Sequence, residues 1–209
     1  MKRAAQQDCS PPSPAYHHGD LRQALVRAGL EILEQGGIAA LTLREAARRA
    51  NVSHAAPYHH FPDKEALLTA IAARGFQIQT EEMELAIENA RPPIDGLQSF
   101  GMAYVAFAAA HPSLFRLMYS HERNDSSENK EMAESSAAGH RRFIERIRER
   151  AGCSEERAQS ISLLLWASVH GLAMLWLDRQ LRWEGVPSLE SLASQMTELL
   201  GVVMRSEPT

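Results

Sequence analysis

The chain has 209 residues, 44% of them hydrophobic, which is enough for a real core in one large domain or in a small domain joined to a medium one. Its formal net charge of -4 excludes indiscriminate coating of nucleic acid, which depends on many Lys and Arg neutralising phosphates, so any such contact has to be local. The two cysteines, Cys9 and Cys153, lie far apart without the spacing of a metal knuckle or a redox pair, and are read as free thiols in a reducing compartment.

The N-terminus is charged and then polar, without the apolar run of a secretory signal, so a cytoplasmic protein is expected. Residues 1–15 are rich in Gln, Ser and Pro and show no periodicity, which predicts a disordered tail. From Leu21 onward, Leu21, Ala24, Leu25, Ala28, Ile32 and Leu33 follow helical spacing on one face, and Gly36-Gly37 can supply the left-handed residue that ends the helix. Thr42 and Glu45 stand in the S/T-x-x-E relation of a capping box, predicting a second helix over residues 43–50. Asn51 tolerates positive φ and suits a tight turn, and Ser53 can cap a short third helix through Tyr58 to His60. Two short helices around such a turn have helix-turn-helix spacing.

Pro62 stops the short helix, and Asp63 can cap a long one whose apolar positions Leu67, Leu68, Ile71, Met83 and Ile87 carry it to about Ala90, where Arg91-Pro92-Pro93 breaks it. Beyond it a helix is predicted over residues 94–110, then a break at His111-Pro112, a short segment through Met118 and a polar loop from His121 to Ser127. Further helices are predicted over residues 128–150, 154–181 and 188–204. The run from Ile161 to Leu177 is almost wholly apolar, but it holds Ser162, Ser168 and His170, so it is read as a helix buried on most sides and not as a membrane span. Strand-like alternation, a fixed-period repeat and a glycine-rich phosphate loop are all missing from the sequence. An all-α fold follows.

Three segments carry a resemblance: Tyr16-His17-His18-Gly19-Asp20-Leu21, Thr42-Leu43-Arg44-Glu45-Ala46-Ala47, and Val52-Ser53-His54-Ala55-Ala56-Pro57-Tyr58-His59-His60-Phe61-Pro62-Asp63-Lys64-Glu65-Ala66-Leu67-Leu68. In order and without gaps, residues 16–68 resemble the DNA-binding domain of the tetracycline-repressor (TetR) family. His111-Pro112 with Phe115-Arg116-Leu117-Met118, and Trp166 with His170-Gly171, resemble the subgroup whose C-terminal domain is named for Trp, His and Gly. The resemblance implies a helix-turn-helix DNA-binding domain over residues 16–79 and a helical ligand-binding and dimerisation domain over residues 80–209. It also implies a repressor that a small-molecule effector releases from a near-palindromic double-stranded operator, acting as a homodimer through its last two long helices. One departure is Pro57, where many family members carry Leu or Ile; proline lacks an amide donor and disfavours α geometry at Ala56, so the recognition helix is expected to start late or tightly.

A recognition helix presents its leading residues to base edges, here Ser53, His54 and Ala55. Tyr58, His59 and Lys64 resemble the family's phosphate contacts, with Thr42 and Arg44 reaching the groove from helix two. Tyr58 and Phe61 are also read as partly core, while Arg48 and Arg49 suit solvated charges and DNA clamps equally. In the second half Leu163, Leu164, Leu175, Leu192 and Leu199 exceed what one helix face needs, fitting burial across a dimer. Trp166, His170 and Met174 repeat every four residues as one wall of a ligand pocket, with Tyr104, Phe107, Phe115 and Met118 as the opposite wall. No cofactor, metal site or catalytic group is expected: the pairs His17-His18 and His59-His60 lack the spacing that puts two ligands on one helical face, and no nucleophile elbow or triad is present.

Overall fold

The computed structural model describes residues 18–91, 96–120 and 130–205. The N-terminal tail with Cys9, the prolines after Arg91 and the polar loop from His121 to Ser127 lie outside these. Among the described residues there are eight α-helices, one turn of 3-10 helix and no strand, so the fold is all-α.

Helix α1 (His18–Ala40) buries Leu21, Leu25, Ala28, Ile32 and Leu33, the apolar stripe that its spacing predicts. Gly37 takes φ 69°, which favours glycine, and the chain kinks there before one further turn. Helix α2 (Leu43–Arg49) is capped by Thr42, whose Oγ1 accepts the backbone N–H of Glu45 at 3.0 Å. The Glu45 carboxylate, expected to complete the capping box, turns instead to Arg48, which donates to it at 2.8 and 2.7 Å, and to Arg49 at 3.3 Å. The Arg48 hydrogen bond is the main reason that Glu45 is held at a pKa of about 2. Because the Thr42 cap is the part that is made, Thr42→Ala is expected to lower stability by about 1 kcal/mol in urea unfolding; an unchanged midpoint would mean that water satisfies the Glu45 amide equally well.

Asn51 adopts φ 55° in the turn after α2. Ser53 does not cap a helix as expected. The chain instead makes a single 3-10 turn over Ala56–His59, which has no side-chain cap and carries Pro57 at its start. The proline accounts for this, since it donates no N–H and disfavours α geometry at the residue before it. Helix α3 (Lys64–Glu88) then begins at Asp63, whose Oδ1 accepts the Ala66 N–H at 2.8 Å.

Helix α3 is the central strut, packing against α1 and against the helices that follow: α4 (Gly96–Ala110), α5 (Pro112–Met118) and α6 (Lys130–Ala151). Its contact with α5 is close enough that a Cβ on Gly75 would lie 2.7 Å from the Met118 sulfur. Helix α7 (Glu155–Leu177) packs on α4 and α6, and α8 (Leu189–Arg205) on α4 and α7. Because α3 is unbroken from Lys64 to Glu88, the division expected after residue 79 falls inside a helix that both halves share.

Two expectations for α7 are corrected. It ends at Leu177, four residues before Leu181, and it is not buried on most sides: only 28% of its most apolar stretch is covered, although its length and composition would suit a membrane span. Ala158, Ile161, Ser162, Leu165, Val169 and Ala173 form a single inward face at helical spacing. On the rest of the surface Leu163, Leu164 and Leu175 are 58%, 57% and 46% exposed, with Leu199 of α8 at 68%.

Candidate nucleic-acid interface and cavity

Of the residues expected to meet DNA, all but the half-buried Lys64 are exposed. Ser53, His54 and Ala55 are exposed in the turn ahead of the 3-10 helix, with His59 exposed at its end. Tyr58 is 61% exposed and so is not a core residue, whereas Phe61 is fully buried. The tight turn explains the difference, because it rotates Tyr58 outward while Phe61 follows it back under α1, where Arg22 sits 5.4 Å over its ring. Arg44 is exposed at the start of α2, beside Thr42, whose hydroxyl accepts the capping N–H and still has its own proton to donate. The half-buried Lys64 donates to the Ile38 carbonyl at 2.7 Å, tying the start of α3 to the end of α1 and leaving two ammonium protons for another acceptor. Arg48 and Arg49 are already clamped by Glu45, which weakens their case as phosphate clamps.

The helical body holds a cavity of about 510 Å³ between α3, α4, α6 and α7, which opens to solvent past the exposed Leu163 and Trp166. Phe76, Met83, Phe100, Met132 and Phe143 give it apolar walls, with the Phe100 and Phe143 rings stacked at 3.6 Å. Its polar end is a hydrogen-bonded cluster. Trp166 Nε1–H donates to the Tyr104 hydroxyl at 3.2 Å, and that hydroxyl shares a second hydrogen bond with His170 Nδ1, 2.9 Å away. Tyr119, at the end of α5, donates to Oε1 of Gln79 at 3.1 Å. Burial pushes the Tyr119 phenol up to about 12; burial, then the neighbouring Tyr119, raises Tyr104 further; and burial lowers His170. The whole cluster is therefore uncharged at neutral pH.

Of the seven residues expected to meet a ligand, Tyr104 and Trp166 line this cavity. His170 sits behind them, edge-on to Tyr119 at 4.7 Å and joined to Tyr104. Phe107, Phe115 and Met118 are fully buried in the core and do not line it, and neither does the half-buried Met174. The sequence reading missed Gln79 and Tyr119 at the polar end, together with Ser136 and His140 of α6. Gln79 did leave a signal: it is a polar residue in the buried register of α3 that runs through Phe76, Met83 and Ile87.

A short helix, a tight turn and an exposed 3-10 turn at the N-terminal end, joined to a helical body with an apolar cavity, make up the arrangement of a helix-turn-helix regulatory protein. Residues 25–71 match the family described as bacterial regulatory proteins, tetR family, and residues 97–200 match that of the tetracyclin repressor-like C-terminal domain. The chain belongs to the tetR family of bacterial transcriptional regulators. It is 45% identical over 51 residues to the class C tetracycline repressor protein of Escherichia coli, a match that spans 24% of this chain and 23% of that repressor. Over nearly its full length it is similar to a protein of unknown function from Rhodococcus sp. RHA1, with 32% identity, 93% of this chain and 100% of that one covered, and a TM-score of 0.76. It also shares its fold with a regulatory protein in the tetR family from Rhodococcus RHA1, at 21% identity, 90% and 98% coverage and a TM-score of 0.59.

Proposed function

We propose that this protein is a cytoplasmic, homodimeric repressor that binds a near-palindromic operator and is released from it by a small molecule held in the body. The observation that carries the reading is the exposed edge from Ser53 to Tyr58, a helix-turn-helix turn whose leading side chains are left free for a major groove. Ser53, His54 and Ala55 read base edges, and Thr42, Arg44, Tyr58, His59 and Lys64 grip phosphates and fix register. The exposed leucines of α7 and α8 support pairing of those two helices with a second copy, setting two reading edges about 34 Å apart, or a multiple of that, for successive grooves.

The cavity is joined to the reading edge by contacts that span the two halves. Arg22 of α1, the residue over Phe61, forms an ion pair with Glu131 at the start of α6, next to the cavity residue Met132. At the other corner His111 Nδ1 lies 3.5 Å from Oε1 of Glu34 on α1. A ligand that repositions α6 or α5 thereby shifts α1, and a typical coupling of about 1 to 3 kcal/mol weakens operator binding roughly 5 to 150-fold.

The test is selection from a fragment library of the source genome at near-physiological salt, followed by footprinting. A short inverted repeat beside a few promoters is expected, and folded dimer that selects nothing above random DNA would refute the reading. On that operator Lys64→Ala is expected to weaken all sequences alike and to reduce the salt slope by about one, whereas His54→Ala relaxes a single base position. The reverse pattern would exchange their roles.

A further inference from the structure

The polar end of the cavity constrains the chemistry of what fills it. Gln79 is only 3% exposed and borders the cavity; Tyr119 occupies its Oε1, while its Nε2 has no hydrogen-bond partner in the protein. A buried amide donor left unmade is costly, and native proteins rarely keep one without a partner. The donor left without a partner thus belongs to a side chain that lines the cavity.

The polar cluster beside that donor is uncharged. Tyr104 meets His170, Trp166 and Tyr119, and burial keeps both phenols protonated and the imidazole uncharged. Among the described residues that line the cavity there is no Asp, Glu, Lys or Arg. A carboxylate seated against Gln79 would lose its water and gain no full positive charge, and an ammonium would gain no negative one. A carbonyl-type oxygen needs neither, since one N–H satisfies it. The remaining wall, from Phe76 and Met83 through Phe100 to Met132 and Phe143, asks for an apolar body.

We infer that the ligand of this cavity is an uncharged, largely apolar molecule whose carbonyl-type oxygen is bound by Gln79. This rests on the reading of the protein as ligand-responsive and names the class of molecule to which it responds. Gln79 would be the residue that discriminates between an acceptor-bearing ligand and a plain hydrocarbon of the same shape.

Three probes of closely similar shape test it: benzophenone, which carries the acceptor; diphenylmethane, which lacks it; and diphenylacetate, which replaces it with a charge. Binding is measured by titration calorimetry on the full-length protein without DNA. Benzophenone is expected to bind on the order of fivefold more tightly than diphenylmethane, and diphenylacetate more weakly than benzophenone by at least about tenfold. Gln79→Leu should bring the ketone and the hydrocarbon to equal affinity while leaving the hydrocarbon unchanged. Gln79→Met, closer in shape, repeats the test should the leucine variant fail to fold. Equal binding of ketone and hydrocarbon by the native protein, preference for diphenylacetate, or no benzophenone binding up to its solubility limit would each overturn the inference. Operator affinity measured with and without benzophenone separates this outcome from the proposed function. Gln79-dependent binding with no effect on DNA leaves the ligand class standing and removes ligand-driven release, whereas release by a carboxylate probe does the opposite.

Discussion

Replacing Leu164 and Leu175 together by Glu is expected to leave the chain folded and monomeric, and to reduce affinity for a palindromic operator by roughly 10²–10⁴-fold, because the second half-site loses its effective concentration. Both leucines are about half exposed on the uncovered face of α7, so the substitution disturbs little within one copy. In a dimer packed through that face, four carboxylates would be desolvated without partners, which is prohibitive. Sedimentation velocity, circular dichroism and operator binding together decide the matter. A double variant that still sediments as a dimer would place the subunit contact elsewhere and leave the exposed leucines without a role.

Phe115→Ala is expected to cost about 3 to 5 kcal/mol of stability, read as a fall in Tm of roughly 6–20 °C. Phe115 is fully buried, with its ring 4.8 Å from Tyr119, 5.7 Å from Tyr104 and 5.6 Å from His170, so it supports the polar end of the cavity from behind. Removing it leaves a void under the cluster that holds the cavity's hydrogen bonds. A variant that melts like the native protein yet loses ligand binding would show instead that the ring meets ligand directly, as the sequence reading had it.

That contrast shows what the sequence could and could not convey. The N-terminal half was legible because its signals are local. Thr42 and Asp63 cap helices, Asn51 takes the left-handed conformation and Pro57 shortens the recognition helix, each decided by residues within a few positions of itself. Helical spacing likewise gave the buried faces of α1 and α3. The local misreadings concerned Ser53, which caps no helix, Glu45, whose carboxylate turns to Arg48 and Arg49, and the reading of Tyr58 as partly core.

The cavity was poorly legible because no single segment contains it. Spacing along α7 put Trp166, His170 and Met174 on one face, yet how deeply each lies depends on α4 and α5 packing against that face. Trp166 reaches the cavity, His170 is screened by Tyr104, and Met174 belongs to the packing beyond. Periodicity reveals which side of a helix is covered but not whether an aromatic neighbour or an empty volume covers it. Phe107, Phe115 and Met118 have the composition of pocket residues for the same reason that they have the composition of core. The exposed face of α7 was misjudged as buried because apolar composition alone does not tell a surface covered within one copy from one left open.

The unbroken course of α3 has a mechanical consequence. Lys64 at one end and Gln79 in the cavity are 15 residues apart on a single rod, about 22 Å of helix. A tilt of about 5° pivoting near Gln79 sweeps the Lys64 end through about 2 Å while the pivot itself stays in place. The same rod limits how parts can be exchanged between relatives. A chimera joined after residue 79 cuts the shaft of this lever and mates two half-helices that never evolved to share an axis, whereas one joined beyond Glu88 passes the lever on intact.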